Sequence, residues 1–354
     1  MVWRVAGIAA ALIAVRLLIY AVLARVHLDE ALCQWDCGWY LSIVRQGYDP
    51  APHLVGNLWQ ANWAFFPLFP LLVRGTAWLS GLEPRLAGMA VSTLACFVFA
   101  VLGARYRQIT RNEAMPWLWL LLIVAWPFGF YFHAVYTEAL YAALATAALL
   151  ALAQGRPLAA GVATAFLTAT RPTGILLAAW IGFGGLRRGR TLHALLPAAI
   201  APLGLLAYMA FLYVHVGDPL AFQHIQAGWQ RAASNPLAVL ADTLATFDPA
   251  QPRLGPFYLV GWAMLGLAAA VWLAVTRRFA EAWLCGMTLM MALGSGSIAS
   301  VPRFVVTNPA FLFAAADLLG RVRWRWLRGA ILAGLAVMQV ALVLKWFRGA
   351  SFLQ

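Results

Sequence analysis

Polar residues are sparse along this chain, and its pattern is one of long apolar blocks with short breaks rather than of alternating faces. The first block covers residues 2–24. Ten more lie at 86–104, 116–132, 134–153, 157–170, 172–186, 193–215, 256–275, 280–298, 302–319 and 329–347. A bilayer core about 30 Å thick needs roughly 20 apolar residues at 1.5 Å each. The blocks therefore predict an all-α polytopic membrane protein with about 11 transmembrane helices. Residues 62–80 are also apolar, but Pro67, Pro70 and Arg74 interrupt them, which predicts an interfacial helix that does not cross. The stretch 157–186 reads as two short spans turning at Arg171-Pro172, because proline disfavours helix in the residue before it.

The breaks are basic, and that decides the parity. If 62–80 does not cross, Arg105/Arg107/Arg111, Arg156, Arg187/Arg188/Arg190, Arg277/Arg278 and Arg321/Arg323/Arg325/Arg328 all share the cytoplasmic side, as the positive-inside rule demands. If it crosses, the clusters after it fall outside. The first arrangement puts the loop at about 25–61 and the segment Val216–Gly255 on the extracytoplasmic face. These hold seven of the twelve acidic residues: Asp29, Glu30, Asp36, Asp49, Asp218, Asp242 and Asp248. The first block reads as an uncleaved signal-anchor, given how many spans follow it.

Composition agrees: 64% of residues are hydrophobic and 10% charged, against about half and a quarter in soluble domains. A net charge of +13 would suggest nucleic acid in a soluble protein; here the basic residues sit between apolar blocks, so no nucleic-acid partner is expected. Lys345 is the only lysine, a bias that fits a GC-rich, bacterial source. Cys33 and Cys37 lie one helical turn apart, poor geometry for a bridge on one helix, and no disulfide framework is expected. Cys96 and Cys285 read as small apolar residues in separate spans.

Candidate chemistry collects on the outer side. Cys33–Tyr48, CQWDCGWYLSIVRQGY, sets Asp36 between two tryptophans, and NWAFFPLFP follows at 62–70. Glu138 opens an inward span, Arg171 sits at an outer turn, and Arg303 starts another span. Ionised residues are costly in a membrane, so four of them on one face from distant parts of the chain suggest a site. Each has a plainer reading. Asp36 could cap a helix, Trp35 and Tyr40 could belong to an aromatic belt, Glu138 could complement its own helix dipole, and the arginines could snorkel. Outer arginine nevertheless runs against the topology bias. A carboxylate can take a proton from an attacking hydroxyl if burial raises its pKa from about 3.9, and arginine suits a departing phosphate. Trp35 and Tyr40 are suited to stack on a sugar. No Walker loop, G-x-G-x-x-G or metal-ligand spacing is present, so no cofactor or metal is assigned, although an oxygen-ligated divalent ion would leave little trace.

Trp35-Asp36-x-x-x-Tyr40, Gly47-Tyr48, Ala64–Pro70, Tyr136-x-Glu138, Arg171-x-x-Gly174 and Pro302-Arg303-Phe304 together resemble the PIG-V family of glycosylphosphatidylinositol mannosyltransferases and its bacterial relatives, over about residues 30–310. The resemblance implies the GT-C glycosyltransferase fold, with interfacial helices in the first external loop. It divides the chain into a core module at 1–216 with a catalytic loop at 25–85, a second external loop at 217–255 and C-terminal transmembrane helices at 256–354. It implies inverting transfer of mannose from a polyprenyl-phosphate-mannose donor at the outer face of the cell membrane. Asp36 is then the catalytic residue, in preference to the nearby Asp29-Glu30 pair, and Trp35, Tyr40, Glu138, Arg171 and Arg303 bind substrate. A bacterial chain has no glycosylphosphatidylinositol pathway to serve, so the acceptor does not carry over. A lipid-linked-sugar flippase or secondary transporter is the rival reading, and a non-catalytic assembly subunit is a third.

Overall fold

The structure is a computed structural model that describes residues 2–113, 115–187, 192–247 and 255–353. Arg188, Arg190 and Asp248, used in the charge reading above, lie outside the described residues. The chain is mostly helical. Helix α1 (Val2–Leu23) leads to the short α2 (Leu28–Leu32) and α3 (Cys37–Gln46), a hairpin of β1 (His53–Val55) and β2 (Leu58–Gln60) with Leu54 opposite Trp59, and α4 (Leu68–Ser80). Then come α5 (Pro84–Thr110), α6 (Trp117–Ala125), α7 (Glu138–Ala153), α8 (Pro157–Thr168), α9 (Ile175–Arg187), α10 (Leu192–Ile200) and α11 (Leu203–Val216). The remainder is α12 (Ala221–His224), α13 (Pro236–Ala245), α14 (Gly255–Val275), α15 (Phe279–Gly294), α16 (Val301–Val306), α17 (Pro309–Arg321) and α18 (Arg325–Trp346).

Among the described residues, five helical stretches are long and apolar enough to cross a bilayer: Trp3–Leu23, Pro84–Thr110, Leu195–Val216, Gly255–Val275 and Arg325–Trp346. Several other apolar blocks contain shorter helices, because hydropathy records side chains and not whether the backbone stays helical. The block 116–132 breaks after Ala125, just ahead of Pro127. The block 302–319 breaks at Thr307-Asn308, where the Asn308 side chain accepts from the Ala310 amide and Pro309 opens α17. Helix α4 has 13 residues, about 20 Å of rise, which is less than the bilayer core. Helices α8 and α9 meet at the turn Pro172–Gly174, as the Arg171-Pro172 signal predicts.

A broken helix in an apolar interior leaves carbonyls that must be bonded. At the end of α6 two polar side chains do this. Arg16 of α1, 1% exposed, donates to the Ile123 carbonyl at 2.7 Å and to His133 Nε2 at 3.0 Å. Gln339 of α18 donates to the Val124 carbonyl at 2.9 Å and to that of Trp126.

The helices give the molecule two distinct ends. Helix α5 has 27 residues, roughly 40 Å of rise. Arg85 at its start bonds Asp29 of α2 at 2.7 Å. Near its far end, Arg107 bonds Asp317 of α17 at 2.8 Å and Arg111 bonds Glu281 of α15 at 2.7 Å. Arg278 lies 3.6 Å from the same Asp317, and Arg321 stacks over Trp272. These basic groups therefore share one end, and the acidic first loop is at the other, the relative placement that the parity argument requires.

Candidate functional site

The site begins with a sharp reversal between α2 and α3. Helix α2 stops at Leu32, the chain turns through Gln34-Trp35-Asp36 with Trp35 at φ 49°, and α3 starts at Cys37. A positive φ is uncommon for a bulky residue. The reversal corrects the expectation for the cysteines. Cys33 and Cys37 do not share a helix; their Cα atoms are 5.3 Å apart and they form a disulfide that brackets Asp36.

Asp36 occupies the N-cap position of α3, yet its side chain makes no capping bond. Its backbone amide donates to the Tyr136 hydroxyl at 3.0 Å, and that hydroxyl donates to the Gln34 carbonyl at 3.0 Å. The turn is thus fastened to the segment leading into α7. The carboxylate accepts through Oδ2 from Arg303 Nη1 at 2.7 Å, across 267 positions of sequence. Among the described residues nothing bonds Oδ1, and the Asp36 side chain keeps 27% exposure.

Behind this pair, charges alternate. Glu138, first residue of α7 and with no side-chain exposure, lies with Oε1 3.4 Å from Arg303 Nε, and the same oxygen accepts from Arg171 Nη2. Arg171 Nε donates to Thr137 Oγ1 at 2.7 Å. Glu138 Oε2 is buried without a protein partner among the described residues. The guanidinium planes are covered by rings, Arg303 over Tyr136 at 5.3 Å and Arg171 over Phe304 at 5.3 Å. Buried charges are tolerated only when paired, and deleting one member of such a pair costs about 3–5 kcal/mol. Tyr40 is buried on α3 with its hydroxyl 3.4 Å from Thr137 Oγ1; burial pushes its phenol well above the ordinary range.

Asp36, Tyr40, Phe65, Arg171 and Arg303 line one cavity. Trp35 does not; it is 38% exposed beside it. The rival carboxylates Asp29 and Glu30 are occupied by Arg85, at 2.7 and 3.3 Å, and do not line the cavity. Trp39 stacks on Phe65 and meets Trp229 edge-on at 5.5 Å.

The lining also contains residues that sequence reasoning missed: Gln226, Trp229 and Arg231, all from the second loop. Their turn is carried by the hairpin of the first loop. Gln60 Nε2 donates to the Gly228 carbonyl at 2.6 Å, and a Cβ on Gly228 would stand 2.2 Å from the Trp59 carbonyl, so only glycine fits. Arg231 carried the same signal as Arg171 and Arg303, an arginine on the side where arginine is disfavoured. Among the described residues, no three His, Cys, Asp or Glu side chains converge as a metal-ligand set.

No protein-family model matches the chain. It is similar to GPI alpha-1,6-mannosyltransferase 2 of Cricetulus griseus, 31% identical in an alignment of 159 residues that covers 41% of this chain and 30% of that protein. The Mus musculus protein of the same name is 30% identical over 158 residues, with the same coverage. The matched stretch therefore spans under a third of those relatives. The resemblance drawn from the motifs is thus found again by whole-sequence comparison. Among solved structures, the Archaeoglobus fulgidus oligosaccharyltransferase in its apo form aligns with 98% of this chain and 56% of its own, at 12% identity and TM-score 0.48. The same enzyme tethered with an acceptor peptide aligns with 98% of this chain and 55% of its own, at 11% identity and TM-score 0.48.

Proposed function

We propose that the protein is an inverting membrane glycosyltransferase of the GT-C type that transfers mannose from polyprenyl-phosphate-mannose to an extracytoplasmic glycolipid, glycan or protein. The observation that carries this reading is the Asp36–Arg303 pair, in which one carboxylate oxygen is held and the other is left without a donor among the described residues, in a side chain that lines an open cavity. A hydroxyl of the acceptor approaches Oδ1, which takes its proton as the oxygen attacks the anomeric carbon. The bond from that carbon to the phosphate oxygen breaks, and the lipid phosphate leaves with the electron pair. Fixed positive groups stabilise that developing charge without reorganising; Arg171 and Arg303 supply them, and Glu138 holds both guanidiniums in place. Tyr40 lines the sugar's cavity, and Trp35, exposed next to Asp36, offers a face to stack on.

The extracytoplasmic side of the cell membrane is favoured by two features. Arginine clusters at the opposite end, and the disulfide at Asp36 belongs to an oxidising compartment. A transporter would hold its charges near the midplane between repeats, whereas these collect at the loop end. The test is a proteoliposome assay with polyprenyl-phosphate-mannose and cell-envelope acceptors. Sugar transfer by wild type and none by Asp36→Asn is the expected result; an equally active, folded Asp36→Asn overturns the assignment.

A further inference from the structure

Arg171 and Arg303 each already have a carboxylate, whereas Arg231 has none among the described residues. Its Nη2 donates to Ser300 Oγ at 2.8 Å and its Nη1 to Gln226 Oε1 at 3.3 Å, both neutral acceptors. The loop that carries it is fixed. The Ser234 amide donates to the Gly294 carbonyl at the end of α15. Gly296, at φ 78°, lies so close that a Cβ would stand 2.4 Å from the Ala232 carbonyl. Three guanidiniums, those of Arg171, Arg231 and Arg303, therefore face two carboxylates, Asp36 and Glu138, and the excess positive charge sits at Arg231. Burial and the neighbouring Arg303 push Arg231 below the ordinary arginine value, and Asp36 offsets only part of that.

Arg231 is also in the wall shared by two cavities. One is the cavity that contains Asp36, where the charged side chains converge. The other, about 450 Å³ and bordered by Phe222, Met291, Ala292 and Phe304 with Gln223 and Gln226 among its polar lining, is mostly apolar. That size is typical of sites for lipid- or drug-sized ligands. A ligand that fills both has an anionic group at Arg231, a polar head toward Asp36 and a hydrocarbon chain toward Met291.

We infer that Arg231 is a further residue that binds the phosphate of the lipid-linked donor in its ground state, with the hydrocarbon chain in the Phe222–Met291 cavity, while Arg171 and Arg303 stabilise the charge that develops on that phosphate as it leaves. This rests on the glycosyltransferase reading and deepens it. The test measures equilibrium binding to the full chain in nanodiscs, with undecaprenyl phosphate, undecaprenol and inorganic phosphate as probes. Wild type is expected to prefer undecaprenyl phosphate over undecaprenol by about tenfold or more, the scale of a charge-assisted bond. R231Q loses that preference. R231K keeps part of it, because a point charge replaces a fork, and S300A, which frees the guanidinium without removing charge, weakens binding a few-fold. Should R231Q misfold, R231K and S300A carry the comparison. A folded R231Q with the wild-type preference overturns the Arg231 assignment while sugar transfer by wild type leaves the enzyme reading standing. Equal binding of undecaprenyl phosphate and undecaprenol by wild type overturns both the assignment and the lipid-phosphate donor. Inorganic phosphate binding as tightly as undecaprenyl phosphate, with the same sensitivity to R231Q, overturns the lipid half.

Discussion

The loop end and the basic end of this molecule are both built from buried arginines and carboxylates, yet they differ in what is left over. At the basic end Asp317 accepts from Arg107 and Arg111, with Arg278 nearby. Glu281 is gripped by both terminal nitrogens of Arg111 and by the Tyr106 hydroxyl at 2.7 Å, and Glu113 is bonded by Arg107. The carboxylates there are surrounded by donors, and the result is a clamp joining α5, α15 and α17. At the loop end, among the described residues, Asp36 Oδ1 and Glu138 Oε2 have no protein donor, and Arg231 has no carboxylate. Buried charge alone does not mark chemistry. What sets the loop end apart is carboxylate oxygens left without a donor among the described residues.

That contrast can be broken experimentally. The largest effect on rate is expected from Asp36→Asn, a loss of about 10²–10⁴-fold, the usual worth of a general base. Its unfolding temperature should fall less than that of Glu281→Ala, because the amide oxygen still accepts from Arg303 and Glu138 still faces that guanidinium; a large stability loss with activity per folded molecule retained would make Asp36 a clamp like Asp317. The reverse is expected of Glu281→Ala: about 3–5 kcal/mol of destabilisation from stranding Arg111, read by thermal or denaturant unfolding in detergent, with turnover per folded molecule intact. Cys33→Ser removes a short-loop crosslink worth about 2 kcal/mol and should lower turnover several-fold by loosening the Asp36 turn, an effect that reductant should reproduce in wild type and not in the variant. The smallest effect belongs to Asp29→Asn. Its salt bridge with Arg85 is at the surface and contributes about 0–1 kcal/mol, and sugar transfer should stay at the wild-type rate. A loss comparable to that of Asp36→Asn would transfer the catalytic role to the Asp29-Glu30 pair.

Much of this was legible before any coordinates, and the failures have a common cause. The starts and ends of α1, α14 and α18 follow their apolar blocks closely, and the Arg171-Pro172 turn follows from backbone sterics. The convergence of Asp36, Glu138, Arg171 and Arg303 came from counting sides of a membrane, which is a long-range constraint readable in one dimension. The breaks ahead of Pro127 and at Asn308-Pro309 were misjudged because an apolar average hides where the backbone departs from helix. The Cys33–Cys37 bridge was missed because it depends on the reversal at Trp35, a local dihedral that hydropathy does not record. Arg231 was overlooked because its loop carries no apolar block to anchor a placement, although its sign and side were already informative.

The polar repair at the end of α6 ties assembly to synthesis. An early helix, through Arg16, and a late one, through Gln339, complete the same stretch of peptide, so a chain still emerging from the ribosome has the Val124 carbonyl oxygen without this donor in a dry setting until position 339 arrives. Chains halted short of that residue should be recognised as unfinished by quality-control proteases, and full-length chains spared.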